Sequence, residues 1–211
     1  MSLYTPRAFA PQDASAPQKL LSEHPFAILI TPGQPEPSIS HLPLQYRAGE
    51  GEHGVLLGHM ARANPHWRRF GEAASTAVFH GPHAYVSPSW YGEPAAAVPT
   101  WNYAVAHVHG RAELLADPAE TRALLEEMIG RYEADRPEPW ALQLQGRALA
   151  AMLEAIVGFR LVIERIDTKL KLSQNRSPAD RERVIEALRA EGYADALGTA
   201  QWMERYARED S

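Results

Sequence analysis

The segment 100–115, TWNYAVAHVHGRAELL, constrains the fold more than any other stretch of the chain. A period of two residues places Trp101, Tyr103, Val105, His107 and His109 on one face, and Asn102, Ala104, Ala106 and Val108 on the other. Because neither face is cleanly polar, we predict a long strand that is covered on both sides.

Shorter apolar runs predict further strands, mostly as antiparallel neighbours. They cover residues 26–31, 38–46, 55–60, 76–81 and 157–166, with turn signals such as PGQPEP and RAGEGEHG between them. Helices are predicted at 17–25, 117–135, 147–156, 177–191 and 193–207, the second with Asp117 as its cap. This order predicts a mostly β fold with helices (α+β), a barrel or an α+β domain, and not a repeating βαβ chain.

The composition excludes several kinds of chemistry. The 211 residues contain no cysteine, so disulfides, thiolate metal sites and cysteine nucleophiles are absent. The net charge of −5 gives no general attraction to nucleic acid, so any bound anion needs a local group of basic side chains. No stretch approaches the length of a membrane span and MSLYTPRAFAPQDA lacks a signal-like apolar core, so we expect a cytoplasmic protein.

The stretch GPHAYVSPSW, residues 81–90, follows a predicted strand and combines imidazole, hydroxyl and aromatic groups. A core strand favours Val, Ile and Leu, and a solvent-facing strand has no need of so many rings. With Pro82 and Pro88 as breaks, the stretch is more typical of the wall of a pocket.

Two other groups of residues suit a phosphorylated heterocycle. A phosphate needs a guanidinium and backbone N–H groups at a turn, which Arg62 in HMARAN offers where a strand ends. A planar ring needs apolar walls and a few polar groups, which Trp90, Trp101 and Asn102 offer. The same residues also fit a solvated arginine and ordinary core tryptophans, and the lysines of KLKL fit an edge-strand device.

Metal and hydrolytic sites are less well supported. His80 and His83, or His107 and His109, have spacings that zinc ligands sometimes show, but no carboxylate falls at a matching distance. No nucleophile elbow and no glycine-rich phosphate loop is present in the sequence. We therefore predict no metal site.

Six blocks of sequence resemble the PaiB-type family of FMN-binding negative transcriptional regulators. They are SISHLPL, GHMARANPHW, FHGPHAYVSPSWY, VPTWNYAVAHVHG, AIVGF and KLKLSQNRSPADRERVIEAL, in this order between residues 4 and 188. The resemblance implies an FMN-binding split β-barrel with helical connections and C-terminal helices, and a homodimer with FMN near its interface. It implies a split-barrel domain over residues 1–176 and a C-terminal helical extension of the same domain over 177–211.

The resemblance also implies roles for residues. GPHAYVSPSW becomes a pair of barrel strands and their turn beside the flavin, and 40–44 lies along the isoalloxazine. Residues 59–62, ahead of Asn64 and Pro65, contact the phosphate, and the late lysines supply a basic contact. The predicted FMN-binding residues are Ser40, His41, Leu42, Pro43, His59, Met60, Ala61, Arg62, Ser87, Ser89, Trp90, Trp101, Asn102, Lys169 and Lys171.

Three functions remain open at this point. The resemblance favours a flavin-dependent regulator or sensor, with an FMN-dependent oxidoreductase (a flavin reductase or oxidase) or a haem-handling protein on the same scaffold as alternatives. Catalytic residues are not identified. Direct DNA binding is poorly supported because the chain is acidic and lacks a helix-turn-helix with a basic recognition helix.

Overall fold

The computed structural model describes residues 3–207, so the outermost residues of the two predicted domain ranges lie outside it. Within this range the strands are β1 Phe26–Thr31, β2 Ser38–Pro43, β3 Gln45–Arg47, β4 Val55–Ala61, β5 Ser75–Val86, β6 Thr100–Leu114 and β7 Ile156–Lys171. The α-helices are α1 Ala16–Glu23, α2 Pro118–Glu133, α3 Gly146–Glu154, α4 Pro178–Glu191 and α5 Ala194–Ala207. This confirms the predicted α+β composition.

The strands form one antiparallel sheet in the order β2-β1-β5-β6-β7-β4-β3. β1 and β2 are a hairpin in which Phe26 faces Pro43 and Thr31 faces Ser38. β3 and β4 are a second hairpin around residues 48–54, as the turn signal RAGEGEHG predicts. β4 also pairs with β7, and Ala61 stands opposite Ile156 at the end of that register.

The chain forms two compact units. Unit 1 consists of the chain up to His24, Phe79–His107 and the chain from Asp167 onward, and unit 2 consists of Pro25–Val78 and Val108–Ile166.

In unit 2 the core follows the predicted alternation. Val157, Phe159, Leu161 and Ile163 are all buried on one face of β7. Asp117 accepts a hydrogen bond from the Ala119 N–H (2.8 Å) and so caps α2, whose Leu124 and Met128 pack on Val55 and Leu57. At Gly110 the packing is so close that a Cβ would lie 2.0 Å from the carbonyl oxygen of Val162.

In unit 1 the helices α1, α4 and α5 supply much of the buried surface, with Leu20, Leu21, Leu188 and Met203 among its residues. The Ser177 hydroxyl accepts a hydrogen bond from the Asp180 N–H at the start of α4 (3.2 Å). Gly192 ends that helix with φ of +74°, a conformation that favours glycine. Both ends of α4 are therefore fixed by the residues that the sequence indicates.

Several elements differ from their predictions, among them residues 81–90 and the stretch 38–46, which is divided into β2 and β3. Residues 81–90 are not a pair of strands and their turn: β5 continues through Pro82 to Val86, and the chain turns only at the 3-10 helix Pro88–Trp90. Proline is compatible with extended backbone, since it fixes φ and removes one N–H, so a strand can continue where that N–H is not needed. Pro82 is also buried, and packing therefore keeps it in the strand.

The long strands differ from their predictions as well. One face of β6 is buried, as predicted; it carries Asn102, Ala104, Ala106 and Val108. The opposite face is only partly covered within this chain, since Trp101 is 52% exposed. β7 runs five residues beyond its predicted end, to Lys171, and takes KLK into the strand.

Candidate functional site

The most unusual polar group in unit 1 is Lys169, whose side chain is almost completely buried (8% exposed). Its Nζ donates a hydrogen bond to the Tyr4 carbonyl oxygen at 3.0 Å. The same nitrogen lies 5.4 Å from the ring centroid of Tyr4 and 5.5 Å from that of Tyr103. The ammonium is thus held by a carbonyl and two aromatic faces, and no carboxylate of the described residues pairs with it.

Lys171 feels the positive charge of two other cations of unit 1, Lys169 and Arg176. The Lys171 Nζ donates to the Trp101 carbonyl oxygen (2.7 Å) and to the Thr100 hydroxyl. Burial lowers the pKa of Lys171, and the positive charges of Lys169 and Arg176 lower it further. The Arg176 guanidinium lies 4.4 Å from the Tyr91 ring centroid.

We call Lys169, Lys171 and Arg176 the cationic cluster. Within residues 3–207 none of the three forms an ion pair with a carboxylate. The positive charges of Lys169 and Arg176 lower the pKa of Lys171, which is a cost to the folded chain, and an anion bound among the three would reduce that cost. The cluster therefore has the charge and the free capacity of an anion site.

Trp101, whose backbone carbonyl accepts the hydrogen bond from Lys171, also belongs to a group of aromatic rings. The Trp101 ring centroid lies 6.1 Å from that of Tyr85 and 6.3 Å from that of His83. Tyr85 and Trp101 are both substantially exposed. This face offers a planar ligand aromatic surface next to positive charge.

Asn102, which sequence reasoning grouped with Trp101, points into the core. It is 1% exposed, and its Nδ2 donates to Ser173 Oγ (2.9 Å) and to Met203 Sδ (3.3 Å). Its amide is therefore already hydrogen-bonded within the chain. Asn102 and Trp101 lie on different faces because adjacent residues of a strand point in opposite directions.

The hydroxyls of Ser87 and Ser89 bond to each other at 2.8 Å. Ser87 Oγ also accepts from the Ser89 N–H and so starts the 3-10 helix that carries Trp90. Their visible role is to form the turn after β5.

A buried polar network lies in unit 2, centred on His66, a residue that sequence reasoning missed. The His66 Nδ1 is 2.8 Å from Ser40 Oγ, and its Nε2 is 2.8 Å from Thr31 Oγ1. Ser40 also accepts from Asn64 Nδ2 (2.9 Å), and Thr31 is 2.7 Å from Ser75 Oγ. Burial lowers the pKa of His66, so the ring is neutral and each nitrogen has one hydroxyl partner.

The remaining predicted residues of β2 lie near this network in the chain. His41 is exposed, and Leu42 and Pro43 are half-buried opposite Ala27 and Phe26 of β1. The side chain of Ser40, in contrast, is already hydrogen-bonded to His66 and Asn64.

At the end of β4, His59 is half-buried, Met60 is buried and Ala61 is exposed. Burial lowers the pKa of His59, and its Nδ1 is buried without a hydrogen-bond partner in the described chain. Arg62 donates from its backbone N–H to the Ala155 carbonyl (2.8 Å), from Nε to that of Glu154 (2.5 Å) and from Nη2 to that of Ile156 (2.8 Å). Its guanidinium is thus anchored at the end of α3.

The sequence predicts Lys169, Lys171 and Trp101 as binding residues, and the structure adds Arg176, Tyr91 and His66 as residues to consider with them. Arg176 is the third basic residue of KLKLSQNR. His66 follows Asn64 and Pro65 at the start of a 3-10 helix, and nothing in the sequence indicates that its ring is buried.

Two further properties bear on the site. In the range 3–207 no group of three or more histidine or acidic side chains is placed to hold a metal ion. None of the helices described is both long and apolar enough to cross a bilayer.

Comparison with known proteins identifies the relatives of this chain. A family model described as "Putative FMN-binding domain" matches residues 3–165. The protein named Protease synthase and sporulation protein PAI 2 from Bacillus subtilis is 37% identical over 205 residues, which is 96% of this chain and 97% of that protein. An uncharacterized protein from Emericella nidulans is 30% identical and covers 87% of this chain and 89% of its own length.

Solved structures with the same fold include flavoproteins. The flavocytochrome Anf3 from Azotobacter vinelandii superposes with a TM-score of 0.61 at 18% identity, covering 79% of this chain and 72% of that one. A FAD and heme binding protein from Mycobacterium smegmatis gives 0.60 at 18% identity, covering 87% and 80%. These similarities confirm the predicted split β-barrel. Since the family model covers most of the chain and the Bacillus subtilis relative aligns along nearly all of it, this protein belongs to the PaiB-type family of FMN-binding split-barrel proteins.

Proposed function

We propose that the protein binds FMN at the cationic cluster and acts as a flavin-dependent regulator or sensor. The observation that supports the proposal is a group of three cations in unit 1 that have no acidic partner among residues 3–207, one of which donates to the backbone of the exposed Trp101. FMN combines a planar ring system with a phosphate, so it needs both features.

The residues of the cluster fit the cofactor. Lys171 and Arg176 suit an anionic group, because charge-assisted hydrogen bonds to an anion are stronger than those to a carbonyl or hydroxyl. Trp101 and Tyr85 give the ring an aromatic surface that the chain leaves exposed. When bound, FMN would supply one- and two-electron redox chemistry, while the chain's lysines and rings would hold and orient it.

The regulatory role is supported by the relative named for protease synthesis and sporulation. We propose that regulation is not by direct sequence-specific DNA binding, because the net charge is −5. A saturable, sequence-dependent gel shift at physiological salt would contradict this part. Turnover of a reduced pyridine nucleotide by the FMN-loaded protein would instead favour the oxidoreductase alternative.

We also propose a homodimer in the cytoplasm. Trp101, Tyr85 and Ile39 are large apolar side chains that one chain leaves exposed, and a second copy would cover such surface. Multi-angle light scattering at micromolar concentration should give twice the chain mass. A monomer mass at every concentration would refute the dimer.

The FMN site is tested by fluorescence titration of FMN and riboflavin with three variants. Lys171→Met should weaken FMN binding by at least about tenfold, because it removes a charge-assisted contact. Arg189→Gln, an exposed arginine of α4 paired with Glu204, is the matched control and should leave the affinity unchanged.

The third variant, Arg62→Gln, tests the prediction that Arg62 holds the phosphate. A large loss of FMN affinity in Arg62→Gln, with none in Lys171→Met, would move the phosphate to Arg62 and refute the cluster as the binding site. Riboflavin lacks the phosphate. A variant that loses a contact to the phosphate should therefore weaken FMN binding and leave riboflavin binding unchanged.

A further inference from the structure

Unit 2 contains a pocket that belongs neither to the cationic cluster nor to the His66 network. Its volume is about 440 Å³, which falls in the range of small-molecule sites. The walls are mainly apolar and include Leu115, Pro118, Leu153 and Val157. The start of α2, the end of α3 and the start of β7 therefore enclose a space suited to an apolar ligand body.

One cation, Arg62, lines this pocket. Its Nε and Nη2 are held by the carbonyls of Glu154 and Ile156, which fixes the plane of the guanidinium. Within the described residues Arg62 forms no ion pair, and its Nη1 donates no hydrogen bond. The chain thus positions a guanidinium at an apolar pocket and leaves part of its donor capacity unused.

A second polar group is unsatisfied nearby. His59 stands opposite Gly158 in the register of β4 and β7, and Gly158 lines the pocket. The Nδ1 of His59 is buried and has no hydrogen-bond partner in the described chain. Buried polar atoms normally have partners, so the unpartnered Nδ1 is available to a water or ligand group that reaches it.

We propose that this pocket binds a small carboxylate with an apolar body, such as a medium-chain or aromatic acid. The apolar walls take the body, and the guanidinium of Arg62 takes the carboxylate, for which its planar fork is suited. Glu154 also lines the pocket and would repel a dianion more than a monoanion. This favours a carboxylate over a phosphate at Arg62.

Isothermal titration calorimetry with octanoate, on the full chain with saturating FMN, tests the proposal. Octanoate should bind saturably, and octylamine, with the same body and opposite charge, should bind at least about tenfold more weakly. Arg62→Gln should weaken octanoate binding by at least about tenfold, because a hydrogen bond to a charged group is lost.

A pair of variants on α3 tests the location. Ala150 lines the pocket and Ala151 does not, and both are exposed. Ala150→Phe should fill the pocket and abolish binding, whereas Ala151→Phe should leave it unchanged. Circular dichroism establishes that each variant is folded, and Arg62→Gln tests the site independently if Ala150→Phe is not.

Three results would overturn the proposal. The first is no saturable octanoate binding. The second is binding that neither Arg62→Gln nor Ala150→Phe changes. The third is octanoate binding that FMN abolishes, since the pocket would then be part of the flavin site. A protein that fails to bind FMN is titrated as purified, so failure of the flavin proposal leaves this test intact.

Discussion

Replacing His66 by phenylalanine removes the centre of the buried network in unit 2 and puts a somewhat larger ring in its place. The ring loses two hydrogen bonds of 2.8 Å, one to Ser40 and one to Thr31. Both hydroxyls keep another partner, Asn64 Nδ2 and Ser75 Oγ respectively, so neither is left unsatisfied. At about 0.5–1.5 kcal/mol for each bond between neutral groups, the free energy of unfolding should fall by about 1–3 kcal/mol.

Urea unfolding at pH 7.5, followed by circular dichroism, measures this loss. His66→Phe should lower the denaturation midpoint without changing the m-value, because the surface exposed on unfolding is almost unchanged. His80→Phe is the matched control, since His80 is exposed on β5, and its effect should stay within about 0.5 kcal/mol.

A loss below about 0.5 kcal/mol in His66→Phe would refute the reasoning, because the two hydrogen bonds would then contribute no more than contacts with water. A loss well above the expected range would show that the ring supports more than the two bonds. Phe70, whose ring centroid lies 5.6 Å from that of His66, is the neighbour to examine first.

Three further predictions follow from the packing and the charges. Burial lowers the pKa of His66, so the neutral ring stabilises the fold above the unfolded-state pKa of about 6.5. The free energy of unfolding, measured from pH 7.5 to 5, should therefore fall as the pH drops below that value. The fall should be less steep in His66→Phe. Gly110→Ala should lower the free energy of unfolding by at least about 2 kcal/mol, because the new Cβ would overlap the backbone of Val162. Gly130→Ala, in open space on α2, should raise it by about 0.5–1 kcal/mol. Urea unfolding measures both effects. The pKa of Asp13 is about 2, chiefly because Ser15 donates hydrogen bonds to it, and Ser15→Ala should raise that pKa toward about 3.9 in an NMR titration.

Most of the secondary structure was predictable because its signals are local. Asp117 and Ser177 cap α2 and α4 as their sequence positions indicate, and the alternation from Val157 to Ile163 identifies a buried strand face. Pro82 shows where local signals fail. A proline predicts a break, but its ring is buried in β5, and packing decided its conformation.

The candidate site was only partly predictable, because side-chain partners are set by tertiary structure. Lys169 and Lys171 carry charge that a sequence displays, but nothing in KLKL indicates that one ammonium is buried between two tyrosine rings. Asn102 has the polarity of a ligand contact, yet Ser173 occupies its amide. Residue type predicts capacity for binding, and neighbours from distant parts of the chain determine whether that capacity is free.

The division of the chain between the two units has a consequence for synthesis on the ribosome. All of unit 2 has been translated once Ile166 is made, whereas unit 1 also needs the chain from Asp167 onward. At roughly 5–20 residues per second, the segments of unit 2 are complete seconds before those of unit 1. The residues that contact Lys169 and Lys171, from Tyr4 to Tyr103, are therefore translated well before the two lysines. The cationic cluster can accordingly form only after all segments of unit 2 have been translated.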